Sequence, residues 1–242
     1  MTSSATVYVA LGDSISIDDY AGGPGCGGAS LLLANRDDDF PEWRGRDLVS
    51  GDPGATFVQL ATDGATASTL VDVQLPRLAA LSAKPTLVTV TIGGNDVLAA
   101  YGDTPAARNA IDHVGASLDV TLTGLHVLLA EAGRVVVGTV YDPSDGTGDS
   151  GRLGLLPWPD AVRLIAELNE TLRRVASAHG AAVAEIGRLF LGHGLLAGDP
   201  SQAQSRPAER DLWFCNVIEP NAWGASGVRE AFWNAAESGD GR

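Results

Sequence analysis

The stretch VYVALGDSIS, residues 7–16, decides the fold. It begins as a run of β-branched and small apolar residues and stops abruptly at Gly12-Asp13-Ser14. A short, continuous apolar run closed by a turn signal fits a strand buried on both faces, as in a parallel sheet. Ser14 then has two readings. It can cap a following helix, which serine does well, or it can be a nucleophile held where a strand gives way to a turn.

Working outward, four more runs of the same kind follow, and they predict strands over 6–11, 56–60, 86–92, 134–141 and 181–185. Helical patterns lie between them at 66–81, 105–132, 159–179 and 222–237. In Val162, Ile165, Leu168 and Leu172 the apolar spacing is that of a helix face. Thr104-Pro105 reads as a cap followed by a first-turn proline, and Gly133 as a helix stop. This order predicts an α/β fold: a three-layer sandwich with a central parallel sheet of about five strands, covered by helices on both faces. With 242 residues and no repeat or linker, residues 1–242 read as a single domain. Three Gly- and Asp-rich segments, 21–54, 143–157 and 191–221, are long for loops in a compact domain, and such loops are usually functional.

Composition narrows the partners. Sixteen Lys and Arg stand against 30 Asp and Glu, a net charge of −14. So acidic a chain repels phosphate backbones and anionic surfaces, which argues against nucleic acid. No run approaches the ~18 apolar residues of a membrane span. No Lys or Arg precedes Arg36, so a basic leader region is missing and the protein is expected to be cytoplasmic and soluble. Cys26 and Cys215 are too few for a disulfide framework or zinc site; they are expected as free thiols, and as neighbours if the segments that carry them converge.

In open parallel sheets, ligands bind beyond the carboxyl ends of the strands. Gly12-Asp13-Ser14 follows the first strand, Asp63-Gly64-Ala65 the second and Gly93-Gly94-Asn95-Asp96 the third; NVIEPNAWG, residues 216–224, precedes the last helix. In this order the four blocks resemble those of the SGNH hydrolases, the GDSL family of esterases and lipases. The resemblance spans Gly12 to Gly224 and implies a flavodoxin-like sheet. It also implies Ser14 as nucleophile, and an oxyanion hole made of the Ser14 N–H, the Gly64 N–H and the Asn95 side chain. Acyl transfer needs that combination of a nucleophile and donors aimed at the developing oxyanion. Asp13 and Asp96 are expected to fix their loops by accepting backbone hydrogen bonds.

The last block departs from the family pattern. Asp-x-x-His-Pro is usual there, whereas this chain has Asn216-Val217-Ile218-Glu219-Pro220. Pro220, Asn221 and Gly224 keep the register, so Glu219 stands where the base histidine is usual and Asn216 where its aspartate is. Three accounts follow. Glu219 is itself the base, which requires burial to raise it from a reference near 4.3. Or another histidine supplies the imidazole, and His193, between glycines in the long loop leading to Glu219, is the candidate. Or catalysis is lost and the fold only binds. His113, His126 and His179 sit in or at the ends of predicted helices, where solvated or packed roles are the default.

Gly23 to Gly28 formally matches G-x-G-x-x-G but neither follows a strand nor opens a helix directly, so it reads as a loop and not a dinucleotide site. The acidic pairs and triplets at 18–19 and 37–39 resemble no calcium loop. Trp43, Trp158, Trp213 and Trp223 fall in or beside the long loops, and some are candidates for an apolar acyl or aryl pocket. The expected function is hydrolysis of an ester, thioester or O-acyl group of a small molecule through an acyl-serine, with no metal or organic cofactor. Acyl transfer to another acceptor and a non-catalytic small-molecule or glycan-binding module remain the alternatives, and oligomeric state is open.

Overall fold

The computed structural model describes residues 5–201 and 204–238. Five strands form one parallel sheet: β1 (Val7–Gly12), β2 (Thr56–Gln59), β3 (Leu87–Thr91), β4 (Arg134–Gly138) and β5 (Ala182–Ala184), in the order β2-β1-β3-β4-β5. Four fall within the segments predicted from sequence, and β1 runs one residue past its predicted end, to Gly12. The order reverses between β1 and β3, and the crevice at such a switch point is where doubly wound sheets bind ligands.

Strand side chains alternate, so β1 feeds two cores. Val9 and Leu11 join Val88, Val90 and Val137 in one apolar layer, while Tyr8 and Ala10 join Leu87 and Val136 in the other. The first layer lies under the long helices α6 (Thr104–Leu128) and α7 (Ala161–Ala178). In α7 the buried Leu164, Leu168, Leu172 and Val175 form a stripe at helical spacing. Burying one such leucine is worth about 2 kcal/mol. The second layer is closed by α1 (Gly28–Leu33), α8 (Ile186–Leu189) and α9 (Ala222–Ser238). Two short helices complete the sequence-missed elements nearest the site: α2 (Leu48–Gly51), and α5 (Gly94–Ala99) directly after Gly93. Between them the chain 67–79 runs as α3 (Ala67–Thr69), a π-helical turn (Leu70–Gln74) and α4 (Leu75–Ala79).

Helix ends differ from the sequence reading in one instructive place. Asp103, not Thr104, caps α6, its carboxylate accepting the Ala106 N–H at 3.0 Å. The Thr104 hydroxyl instead donates to Asp160 at 2.6 Å and accepts the Trp158 indole N–H at 3.2 Å. At the other end α6 stops at Leu128, before Gly133, as Ala130 turns its N–H to the Pro85 carbonyl at 2.9 Å.

The long segment 21–54 is fastened to α9 by Arg229, whose side chain has no exposed area. Its guanidinium lies 4.0 Å over the Trp43 ring, donates to Asn35 Oδ1 at 2.8 Å and to the Ser226 hydroxyl, and burial lowers its pKa to about 10. Cys26 and Cys215 are both buried free thiols, Cys26 beside Arg206 and Cys215 donating to the Tyr20 carbonyl.

Candidate active site

Ser14 opens a 3-10 turn, Ser14–Ser16, immediately beyond β1. The capping role belongs to its neighbour: the Asp13 carboxylate accepts the Ile15 N–H at 3.2 Å. The Ser14 hydroxyl is thereby left out of the cap. The turn is held close to β3, with the Asp13 N–H on the Thr91 carbonyl at 3.0 Å and the Ser16 hydroxyl paired to that of Thr91 at 2.9 Å. Gly12 makes this approach possible. Its φ is +116°, and a Cβ there would lie 1.8 Å from the Thr91 carbonyl oxygen. Gln74, projecting from the π-helical turn, grips Gly12 by the two peptide groups that flank its Cα: its Oε1 accepts the Gly12 N–H at 2.7 Å and its Nε2 donates to the Gly12 carbonyl at 2.8 Å. Single π turns recur at functional sites, and this one aims a buried amide at the peptide behind Ser14.

Gly64 sits in the turn after β2 with φ +67° and open space where a Cβ would be. Asn95, at the start of α5, reaches back to this turn: its Nδ2 donates to the Ala65 carbonyl at 3.0 Å. That bond fixes the amide and leaves its second N–H free to point elsewhere. Asp96 ties the same two loops by accepting the Ala67 N–H, at 3.2 and 3.1 Å from its two oxygens. Among the described residues, the Ser14 and Gly64 amide N–H groups meet no protein acceptor. Ser14 and Asn95 line one cavity together with Asp13, Ile15 and Gly94. The three βα turns are thus drawn to one end of the sheet.

Glu219 arrives from a hairpin. Strands β6 (Phe214–Cys215) and β7 (Glu219–Pro220) pair antiparallel, with Cys215 opposite Glu219. Two of the three connecting residues have positive φ, Asn216 at 48° and Val217 at 73°. A β-branched residue in that region is a genuine outlier, and strain of this kind gathers at functional sites. The turn is held by the Val217 N–H on the Pro200 carbonyl at 2.6 Å and by the Tyr141 hydroxyl on the Ile218 carbonyl at 2.7 Å. Asn221 locks the hairpin to α9, donating to Leu212 and Phe214 carbonyls and accepting the N–H groups of Trp223 and Gly224.

The Glu219 side chain is 9 % exposed, and its Oε2 is buried without a hydrogen-bond partner. Burial pushes its carboxyl up to about 7; the Ser14 hydroxyl opposes that rise and the charge of Asp63 adds to it. Asp13, 1 % exposed, is likewise pushed to about 7, first by burial, with Thr91 and Ile15 opposing and Glu219 adding. Asp63 itself accepts the Tyr20 hydroxyl at 3.1 Å across two loops.

His193 has other partners. Its Nδ1 bonds to the Asp211 carbonyl at 2.7 Å, and its ring stacks on Trp213 at 3.7 Å between centroids. It does not line the Ser14 cavity and is not among the groups that shift Glu219. Asn216 is exposed in the turn. His113 meets Ser68, and His179 meets Asp119 beside His126. Of the tryptophans, Trp158 enters the cavity, whereas Trp43 lies under Arg229 and Trp223 packs on Phe40. Sequence reasoning missed Gln74 and the apolar lining of the cavity; a lone glutamine in a predicted helix carries no signal of its partner. Among the described residues no His, Cys, Asp and Glu come together in a group able to hold a metal ion.

A serine freed from capping, amide N–H groups without acceptors and a buried carboxyl come together beyond a 2-1-3-4-5 parallel sheet in an α/β fold. The chain belongs to the GDSL-like Lipase/Acylhydrolase family, whose model matches residues 10–225, and is accordingly a GDSL-type esterase. It is 26 % identical over 216 residues to a lipase from Streptomyces rimosus, covering 81 % of this chain and 75 % of that protein. Its fold is similar to that of an alpha/beta hydrolase enzyme from the metagenome of Lake Arreo, Spain, at a TM-score of 0.63 and 22 % identity over 96 % of this chain and 95 % of that one. It is also similar to an acetylxylan esterase from Geobacillus stearothermophilus, at 0.61 and 18 % over 96 % and 94 %. No helix among the described residues is long and apolar enough to cross a membrane.

Proposed function

We propose that the protein hydrolyses a carboxylic ester of a small molecule through an acyl-serine, with Ser14 as nucleophile and Glu219 as its direct general base. The observation that carries this is the Ser14 hydroxyl bearing on a buried carboxyl whose pKa is pushed up to about 7. A general base works best when its pKa lies near the operating pH. An ordinary glutamate near 4.3 is too weak, and burial removes that mismatch.

In the first half-reaction Ser14 Oγ forms a bond to the ester carbonyl carbon while its proton passes to Glu219. The carbonyl π electrons move onto oxygen, where the Ser14 N–H, the Gly64 N–H and the free Asn95 N–H receive the charge. Collapse of this adduct breaks the carbon–alkoxy bond, and the leaving alkoxide takes the proton from Glu219. In the second, water attacks the acyl-serine, gives its proton to Glu219, and Ser14 Oγ leaves with that proton restored. Alcohol and carboxylic acid are the products. His193, committed to Asp211 and Trp213, has no part in these steps.

The test is labelling by a fluorophosphonate probe together with turnover of p-nitrophenyl acetate. Labelling at Ser14 and turnover that vanishes in Ser14→Ala support the assignment. A folded protein that neither labels nor turns over ester favours a binding module instead.

A further inference from the structure

Beside Ser14 lies a cavity of about 130 Å³ whose lining is almost wholly apolar. Leu98 and Tyr101 line it, together with Leu153, Leu155 and Trp158 and with Ile165 of α7. The wall contributed by 142–158 is pinned. Asp145 accepts the N–H groups of Gly192 at 2.9 Å and Leu196 at 2.8 Å, and Asp142 those of Ser144 at 2.8 Å and Gly146 at 2.9 Å. The Tyr101 hydroxyl donates to the Leu156 carbonyl at 2.7 Å, and the Tyr101 and Trp158 rings meet edge to face at 4.8 Å. Asp142, Asp145 and the Tyr101 hydroxyl are therefore spent on holding the wall in place, and the space within is preformed and largely apolar.

Resting on Ser14 as the nucleophile, we infer that this cavity takes the acyl chain of the substrate, and that the preferred substrates carry apolar acyl groups longer than acetyl. Two considerations select the acyl group over the alcohol. The acyl group stays bonded to Ser14 through both half-reactions, whereas the alcohol must escape to solvent after the first, so a preformed recess beside Ser14 suits the former. The cavity also offers no set of unspent donors or acceptors to a sugar alcohol; its interior rewards methylene groups. An acetyl group would leave most of it unfilled. Each methylene moved from water into such a space is worth roughly fourfold in kcat/KM, until the cavity is filled.

The experiment holds the leaving group constant and varies the acyl chain, with p-nitrophenyl acetate, butanoate, hexanoate and octanoate. The expected result is a rise in kcat/KM of at least about tenfold from acetate to hexanoate. A second series holds the acyl group at acetyl and lengthens the alcohol from ethyl to hexyl; no comparable rise is expected. Leu98→Trp and Ile165→Trp, which fill the cavity from two different helices, are expected to lower the hexanoate-to-acetate ratio by about tenfold or more. The wild-type series stands alone should either variant misfold, which thermal melting reveals. A preference for acetate, or for long alcohols over long acyl chains, overturns the inference while leaving ester hydrolysis intact. Absence of turnover on every ester, with no labelling of Ser14, overturns both.

Discussion

Ser14 meets Glu219 with no imidazole between them: burial, Ser14 and Asp63 are the groups that set the acidity of this carboxyl. Their approach follows from two local events. Asp13 takes over the capping of the 3-10 turn, and a three-residue hairpin turn, with Asn216 and Val217 at positive φ, packs the strand of Glu219 against that turn.

Glu219→Gln keeps the shape of the side chain but cannot accept the serine proton. Turnover of p-nitrophenyl acetate is expected to fall by at least ~10²-fold, the lower end of what general-base catalysis supplies. His193→Ala is expected to change kcat/KM less than about threefold, since the ring is held by Trp213 and the Asp211 carbonyl away from the cavity. Loss of activity in His193→Ala with retention in Glu219→Gln would remove Glu219 from its role.

The pH dependence has a definite sign. Glu219 accepts a proton only when ionised, so kcat/KM should rise with pH and reach half its plateau near pH 7, where burial has placed the carboxyl. Asp63→Asn removes a charge that helps raise it, and the midpoint should move to lower pH. Stability runs the other way. The folded pKa of about 7 lies above the ordinary 4.5, so the folded chain holds this proton more tightly than the unfolded one. That contribution is full below about pH 4.5 and is lost as pH rises through 7. Its size is on the order of 2 kcal/mol. Glu219→Gln should therefore be more stable than the parent at pH 8 and closer to it at pH 5, with the slope reduced but not abolished because Asp13 is pushed the same way. Denaturant melts at the two pH values measure it.

Asn95→Ala removes a proposed oxyanion donor and the bond to the Ala65 carbonyl. A fall in kcat of about 10²–10³ is expected, with KM changing little, because the interaction is made in the transition state. A rise in KM at constant kcat would mean that Asn95 only binds substrate.

Some of this was legible in the sequence and some was not, for physical reasons. The five strands show because a parallel sheet covered on both faces demands unbroken β-branched runs. The blocks at Ser14, Gly64 and Asn95 show because the turns that end those strands need glycine. Glu219 shows because Pro220, Asn221 and Gly224 fix its register. The cavity wall does not, since Leu98, Trp158 and Ile165 come from separate elements and look like ordinary core in each. Arg229 reads as the solvated face of a helix, yet it is fully buried, because its partners Asn35 and Trp43 lie almost two hundred residues away in the chain. Helix α5 is hidden by the glycines that precede it.

Gln74 is the least obvious of these and has the sharpest test. Its amide both accepts the Gly12 N–H and donates to the Gly12 carbonyl, and the side chain is 1 % exposed. Gln74→Leu leaves the Gly12 N–H buried without a partner and should cost about 2–3 kcal/mol of stability. Gln74→Glu separates the two bonds. At neutral pH the introduced carboxylate still accepts the N–H but faces the Gly12 carbonyl with no proton to give, so the variant should be destabilised. Once protonated it can donate again, as the native amide does, so its deficit relative to the parent should shrink as pH falls toward 5. A deficit that stays constant from pH 8 to pH 5 would mean that the amide fills space and does not hold the peptide behind Ser14.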